Sequence, residues 1–466
     1  MLKRELFGTD GIRGKANIYP MTCEMAVALG RAVTSYFQKK STKVPVIIIG
    51  KDTRLSCYML EQAFSAGVCS QGGRGILTGP LPTPAVAFVT KSMRAQAGVM
   101  ISASHNEYGD NGIKIFDHNG HKLSDSIESQ LEKIVLNPEG LSVKLGADLG
   151  STKRLDEVIG RYIVHAKNTF DECIGLENLR IVVDCAHGAS YKVAPMIFQE
   201  LGAEVIAIGN SPNGKNINDG FGAMHPGACA QKVLETRADC GICLDGDGDR
   251  LVVVDKNGHV IEGDKILGLL ARLLLDRGLL SQLKSESSQP PSPSSFVVGT
   301  ILNNLGLEIY LKKLGLGFVR TNVGDRYITE EMLKNGQLLG GEPSGHIIMR
   351  NYSTTGDGII AALKVLEAMK FYGASLEELT REIILLPQFE KNIAVGHKPP
   401  LKNLTKLNET QDRVVRELGE KGRVVMRYSG TEPKVRVMVE GEDEELIKKL
   451  GQQLTDVLVK EIGKSV

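Results

Sequence analysis

A chain of 466 residues is too long for one hydrophobic core and has room for about three or four domains of ordinary size. Its 42% hydrophobic and 24% charged residues match a folded globular protein and exclude a disordered one. With 56 Lys and Arg against 55 Asp and Glu, the formal net charge of +1 gives no general pull on nucleic acid or anionic membrane, and neither is expected as a partner.

The first fourteen residues turn polar and Gly-rich before any secretory apolar stretch forms. The richest apolar run, 266–275, is short and broken by Arg272, so no span is expected and the chain reads as cytoplasmic. Three apolar runs, 46–49, 181–183 and 296–298, each lead into a polar turn and then a helical pattern. That is the signature of α/β units, and it predicts three related α/β domains. Each stretch also holds a second predicted strand, at 98–101, 242–244 and 337–339, which runs into a polar loop. Ligands of open α/β sheets bind at the carboxyl ends of strands, so these three loops are expected to meet in one cleft.

Residues 285–295, SESSQPPSPSS, cannot pack a core and read as a flexible insertion in the third unit. After Pro387 come a strand at 423–426, an alternating strand at 434–440 and a helical pattern over 443–462. These predict a small α+β domain with an antiparallel sheet. The expected divisions are 1–155, 156–256, 257–373 and 374–466. The eight cysteines are scattered, and Cys240 and Cys243 fall in a predicted buried strand with no second CxxC, so they are read as structural.

The sharpest chemical signal is DGDGDR at 245–250. Alternate carboxylates at Asp245, Asp247 and Asp249 can turn three oxygens toward one hard divalent cation, and Mg²⁺ is expected there. An EF-hand would need Gly and Glu where Arg250 and Lys256 stand. ISASHN at 101–106 sets two hydroxyls, an imidazole and an amide after a strand, without the G-x-S-x-G elbow of a hydrolase. RYSGTEP at 427–433 has the composition of an anion cradle: a guanidinium fork, two hydroxyls and a Gly that frees backbone N–H groups. GEPSGH at 341–346 offers a carboxylate, a hydroxyl and an imidazole suited to sugar hydroxyls. There is no Walker A loop; the GKS at 463–465 has Leu458 where its first Gly belongs.

Together with FGTDGIRG (7–14) and DNGIK (110–114), these motifs in this order resemble the α-D-phosphohexomutase superfamily over nearly the whole chain. The segments NIN (216–218), VGDR (323–326) and TTGDG (354–358) place the resemblance nearest its phosphoglucosamine mutase branch. The resemblance implies three α/β domains with related mixed sheets and a fourth, α+β domain like the TATA-binding protein, around a central cleft. It implies a phosphoserine at Ser104 that carries the transferable group, with one Mg²⁺ held by Ser104, Asp245, Asp247 and Asp249. Arg13, His105, Lys114 and Arg250 would surround the reacting phosphate. Glu342 and Ser344 would bind sugar hydroxyls, with His346 beside them. Arg427, Ser429, Gly430 and Thr431 would hold the non-reacting phosphate. Lys114 and His346 are both candidates for the general base.

The implied reaction interconverts glucosamine 6-phosphate and glucosamine 1-phosphate through a bisphosphate, supplying UDP-N-acetylglucosamine synthesis. The alternatives are a phosphoglucomutase or phosphomannomutase, or a sugar-phosphate-binding regulator without catalysis. The implied partner is a hexosamine phosphate, and a homodimer is compatible with the pattern. Two positions depart from the branch: Glu107 stands where Pro is usual after Ser-His-Asn, and Pro343 replaces Gln in the sugar loop.

Overall fold

The computed structural model describes residues 5–8, 10–40, 43–283, 292–429 and 433–462. Each of the three apolar runs becomes an interior strand of a sheet. The first sheet is built from β1 (Ile12–Lys15), β2 (Val46–Lys51), β3 (Arg74–Pro80), β4 (Ala97–Ile101), β5 (Asp110–Asp117) and β6 (Ser151–Arg154), in the order β1-β5-β4-β2-β3-β6. The second holds β7 (Arg180–Asp184), β8 (Glu204–Ile208), β9 (Cys240–Leu244), β10 (Leu251–Asp255) and β11 (Val260–Ile261), ordered β11-β10-β9-β7-β8. The third holds β12 (Phe296–Thr300), β13 (Gly317–Thr321), β14 (Leu339–Gly341) and β15 (Ile347–Met349), ordered β13-β12-β14-β15.

One pattern recurs in all three. The first apolar strand (β2, β7 or β12) is flanked by two parallel neighbours. The second (β4, β9 or β14) turns through its polar loop into an antiparallel partner (β5, β10 or β15). Parallel pairs need crossovers, which the helices Leu55–Ser70 and Thr83–Ser92 supply in the first unit. β4 and β9 are buried at every residue, which is why they read as unbroken apolar runs rather than alternating ones.

The three sheets share a continuous core. Leu81 and Val86 of the first unit, Tyr162 and Leu244, and Leu307 and Leu366 of the third belong to one cluster. The helix Gly358–Tyr372 is buried from Gly358 to Met369 and apolar nearly all round, as befits an element enclosed on every side. Asp357 caps it by accepting from the amides of Ile359 and Ile360, and Gly373, with φ +61, ends it. Two divisions shift from expectation. β11 pairs with β10, which keeps the chain in the second sheet past 256, to Ile261. Leu376, Leu379 and Ile383 pack into the shared core, so the third unit continues beyond 373.

The C-terminal unit is an antiparallel sheet of β16 (Gln388–Ala394), β17 (Gly422–Tyr428) and β18 (Lys434–Gly441), ordered β16-β18-β17. Val435, Val437 and Val439 alternate inward against Leu407 and Val414 of the helix Thr405–Leu418 and Leu450, Leu454 and Leu458 of Glu444–Ile462. Each such side chain contributes about 1.5–3 kcal/mol on burial, enough to give this unit its own core. Glu440, fully buried, ties it to the third unit: its Oε2 accepts from the Leu305 amide at 3.1 Å and orients Arg423 of β17, which donates to the Ile301 carbonyl at 3.0 Å.

The insertion at 285–295 lies outside the described residues up to 291; beyond it the Ser294 carbonyl accepts from the Ser281 amide at 3.2 Å and β12 follows. The GKS at 463–465 also lies outside them. Among the described residues, no helix is long and apolar enough to cross a membrane.

Candidate active site

Three topologically equivalent loops meet: residues 102–109 between β4 and β5, 245–250 between β9 and β10, and 342–346 between β14 and β15. The Ser104 Oγ donates to Asp245 Oδ2 at 2.7 Å, and Asp249 Oδ1 stands 3.7 Å from His346 Nδ1. The convergence expected from strand ends is therefore present. The two serines of the first loop face opposite ways. Ser102 Oγ, buried, accepts the Ser104 amide at 2.9 Å and donates to Asp52 Oδ2 at 2.6 Å, so it is consumed as a structural group. Ser104 Oγ points to the acidic loop instead. The loops touch closely because Gly246 has no side chain: a β-carbon there would lie 2.5 Å from the Ser104 carbonyl oxygen and 2.8 Å from Asn218 Nδ2.

Asp245, Asp247 and Asp249 are all buried and each offers an oxygen within 4.8 Å of the others. Asp247 Oδ2 accepts from Thr83 Oγ1 at 2.6 Å and from Lys114 Nζ at 2.8 Å. Asp247 Oδ1 and Asp249 Oδ1 are buried without a hydrogen-bond partner. Burial, with Asp249 and Asp247 close by, pushes the Asp245 carboxyl up to about 8. Unpartnered buried carboxylate oxygens and an over-crowded triad fit a hard divalent cation, which would satisfy both.

Cations ring this acidic centre. Arg13 is paired with Asp10 and donates to the Ala103 carbonyl at 3.3 Å, while the Arg250 amide donates to Asp245 Oδ1 at 3.2 Å. The Nε atoms of Arg13 and Arg250 are both buried without a partner, two guanidinium donors left over for an anion. Burial disfavours the Lys114 ammonium, but Asp10, Asp247 and Asp249 outweigh it and hold its pKa well above the usual range. Burial likewise opposes charge on His346, and Asp249 and Asp325 outweigh it, raising its pKa above the ordinary histidine value. His105, with Nδ1 at 3.4 Å from Ser104 Oγ, goes the other way: burial, then Arg250 and Arg13, lower it to about 4, so it is neutral.

Four domain models of phosphoglucomutase/phosphomannomutase match along the chain: alpha/beta/alpha domain I over 4–140, domain II over 160–258, domain III over 262–385 and the C-terminal domain over 390–457. A phosphoglucosamine mutase of Syntrophotalea carbinolica is 46% identical over 463 residues, 99% of each chain. One of Anaeromyxobacter sp. is 48% identical over 467 residues, 99% of this chain and 97% of the relative. The chain belongs to the phosphoglucomutase/phosphomannomutase family. It is an enzyme of the isomerase class.

Solved structures repeat the family fold. A phosphoglucomutase/phosphomannomutase family protein of Burkholderia thailandensis superposes with a TM-score of 0.81 at 22% identity, covering 100% of this chain and 99% of that one. Aspergillus fumigatus N-acetylphosphoglucosamine mutase, solved with GlcNAc-6P and magnesium, gives 0.68 at 17% identity over 99% of this chain and 96% of its own.

Of the residues expected from sequence in this phosphohexomutase, the structure gathers Arg13, Ser104, His105, Lys114, the three aspartates, Arg250 and His346 around one point. Glu342 is half-buried and its Oε1 accepts from the Gly324 amide at 3.1 Å; Ser344 is exposed. Arg427 and Ser429 sit in the C-terminal unit. Arg427 stands directly opposite Arg436 across β17 and β18 and lines a cavity of about 80 Å³ with Leu302, Glu390 and Asn392. Gly430 and Thr431 lie outside the described residues.

Sequence reasoning missed the groups that balance the charge. Asp10 pairs with Arg13, with Lys114 at 3.3 Å and with Lys122 at 2.5 Å, and Lys122 reaches on to Asp325 at 2.5 Å. Asp10 and Asp325 stand inside the FGTDGIRG and VGDR segments, which was their one signal. Lys122 and Thr83 belong to no motif. Cys240 and Cys243 are fully buried in β9, and burial pushes the Cys240 thiol up, in keeping with a structural role.

Proposed function

We propose that the enzyme interconverts glucosamine 6-phosphate and glucosamine 1-phosphate, with a phosphoserine at Ser104 and a sugar bisphosphate between the two. The substrate follows the printed names of relatives at 46% and 48% identity over nearly the whole chain. The observation that carries the chemistry is Ser104 Oγ, 2.7 Å from Asp245, presented to a triad with unpartnered buried oxygens.

In the forward direction the sugar's free hydroxyl attacks the phosphorus of phosphorylated Ser104. A P–O bond forms to the sugar and the bond to Ser104 Oγ breaks, leaving a bisphosphate and a free serine. The bisphosphate then turns over in the cleft. Ser104 Oγ attacks its other phosphorus, and the phosphoserine is restored as the product monophosphate departs. Asp245, Asp247 and Asp249, with an oxygen on Ser104, would hold Mg²⁺, which when bound neutralises charge on the phosphoryl oxygens. The unpartnered Arg13 and Arg250 Nε donors face the same charge, and Lys114, held as an ammonium, adds to it.

His346, beside the triad with its Nδ1 3.7 Å from Asp249 Oδ1, would accept the hydroxyl proton. Glu342 and Ser344 would hold sugar hydroxyls, and Arg427 and Ser429, with Gly430 and Thr431, the non-reacting phosphate.

Pro343 in the sugar loop makes the hexose preference the point to test. Phosphorylated protein assayed on glucosamine, glucose and mannose 6-phosphates should give its highest kcat/KM on glucosamine. Equal or higher values on glucose or mannose would move the assignment to another branch of the family.

A further inference from the structure

Ser104 has a left-handed backbone, φ +53, which a residue with a β-carbon adopts only where its surroundings impose it. Its carbonyl and those that follow are gripped from two units of the protein. Arg54, following β2, donates one terminal nitrogen to the carbonyls of Ser104 at 3.0 Å and Asn106 at 2.8 Å, and the other to the carbonyl of Glu107. Asn218, between β8 and β9, donates its Nδ2 to the same Ser104 and Asn106 carbonyls, at 2.9 Å each. Asp52 aligns this clamp. One of its oxygens, Oδ2, accepts from Arg54 Nε at 2.8 Å and from Ser102 Oγ at 2.6 Å, and Ser102 Oγ in turn holds the Ser104 amide. A single carboxylate thus orients both the guanidinium that grips the loop's carbonyls and the hydroxyl that grips its amide. Arg54 is 0% exposed and its ion pair is with Asp52, not with the metal-binding triad.

We infer that Arg54 and Asn218 are positioning residues for Ser104: by tying down the loop's carbonyls from two different units, they fix the left-handed backbone that aims Oγ at Asp245. The nucleophile is then a rigid post, and the sugar bisphosphate does the turning. This rests on the reading of Ser104 as the phosphoryl carrier.

The test uses Arg54→Lys, which keeps the charge beside Asp52 but loses the fork, and Asn218→Gly, which removes the amide while suiting the left-handed φ of +59 at that position. Rapid quench with intact-mass detection measures phosphoryl transfer from the sugar bisphosphate to Ser104. Both variants should slow that step by about 10- to 100-fold, the effect of misplacing a reacting atom by roughly an ångström. The KM for the monophosphate and the half-saturating Mg²⁺ should move by no more than about threefold. Wild-type transfer rates with only a lowered melting temperature would reduce both residues to packing and overturn the inference. Should Arg54→Lys not fold, Asn218→Gly decides the outcome alone. Ser104→Ala run alongside separates the failures: turnover in that variant sinks the phosphoserine reading, whereas a dead Ser104→Ala beside unimpaired Arg54 and Asn218 variants sinks the positioning inference only.

Discussion

Ser104 Oγ and Asp245 Oδ2 lie 2.7 Å apart although 141 positions separate them in the chain. Each residue sits in the first turn after a fully buried strand, β4 or β9, of two sheets with the same internal order. The contact exists because two copies of one α/β pattern pack with corresponding loop ends facing each other.

Ser104→Ala should therefore abolish turnover and spare the fold. The lost hydrogen bond is worth about 0.5–1.5 kcal/mol, and Ala bears the same left-handed backbone as Ser. Calorimetry should show the melting temperature lowered by only a few degrees. Phosphopeptide mapping of the wild type should find phosphate at Ser104 and not at Ser102, whose hydroxyl is engaged by Asp52. Phosphate confined to Ser102 would remove the assignment.

Metal binding should release protons. Burial and the neighbouring Asp249 and Asp247 raise the Asp245 carboxyl to about 8, so the metal-free site carries a proton at neutral pH. Mg²⁺ would displace it, releasing close to one proton per ion below that value, and apparent affinity should climb with pH and then level off. Titration calorimetry in two buffers of different ionisation enthalpy measures this directly. An affinity indifferent to pH would show that no protonated Asp245 is displaced on metal binding.

Asp10→Asn tests the charge balance. Burial raises the Asp10 carboxyl, but Lys114, Lys122 and Arg13 outweigh it and hold it well below the usual range. Its contribution to stability is thus present above the unfolded value of about 3.9 and is lost as pH falls through the lower folded value. The variant leaves Lys114, whose side chain is 2% exposed, short of a counter-charge. The cost at neutral pH should be about 3 kcal/mol, the lower end for a broken buried pair because Asp10 is partly exposed. Urea unfolding of the variant should also lose part of the wild type's acid-side slope. Matching curves from pH 7 down to pH 3 would refute the balance described.

Arg427→Ala should weaken the use of both sugar phosphates by similar factors. Burial, and then Arg436 directly across the strands, lower the Arg427 pKa; like charges so placed repel, and an anion between them relieves the cost. Loss of a charge-assisted contact of this kind costs roughly 1.5–3 kcal/mol, or about ten- to a hundredfold. The Ser104 loop should keep its structure, since Arg427 belongs to another unit, but transfer from the bisphosphate to Ser104 should slow with the lost grip on the second phosphate. Steady-state kinetics in both directions check this, and a defect in one direction alone would contradict a shared phosphate site.

The sequence by itself determined the parts list: apolar runs at 46–49, 181–183 and 296–298, polar loops after the second strands, the alternating strand before the last helix, and three carboxylates spaced by glycines. These are legible because burial on both faces, half-burial and loop exposure leave different local periodicities. Tertiary structure decided how the two serines of that loop are used: the turn sends Ser102 Oγ to Asp52 and Ser104 Oγ to the acidic loop. It also decided the counter-charges. Lys122 finds Asp325 across 203 positions, and Arg54 meets Asn218 on one pair of carbonyls, through the packing of three sheets. Asp325 and Asn218 fall in recognisable segments, yet nothing local marks what they meet, since such a contact depends on where its two ends arrive and not on what lies beside them in the chain.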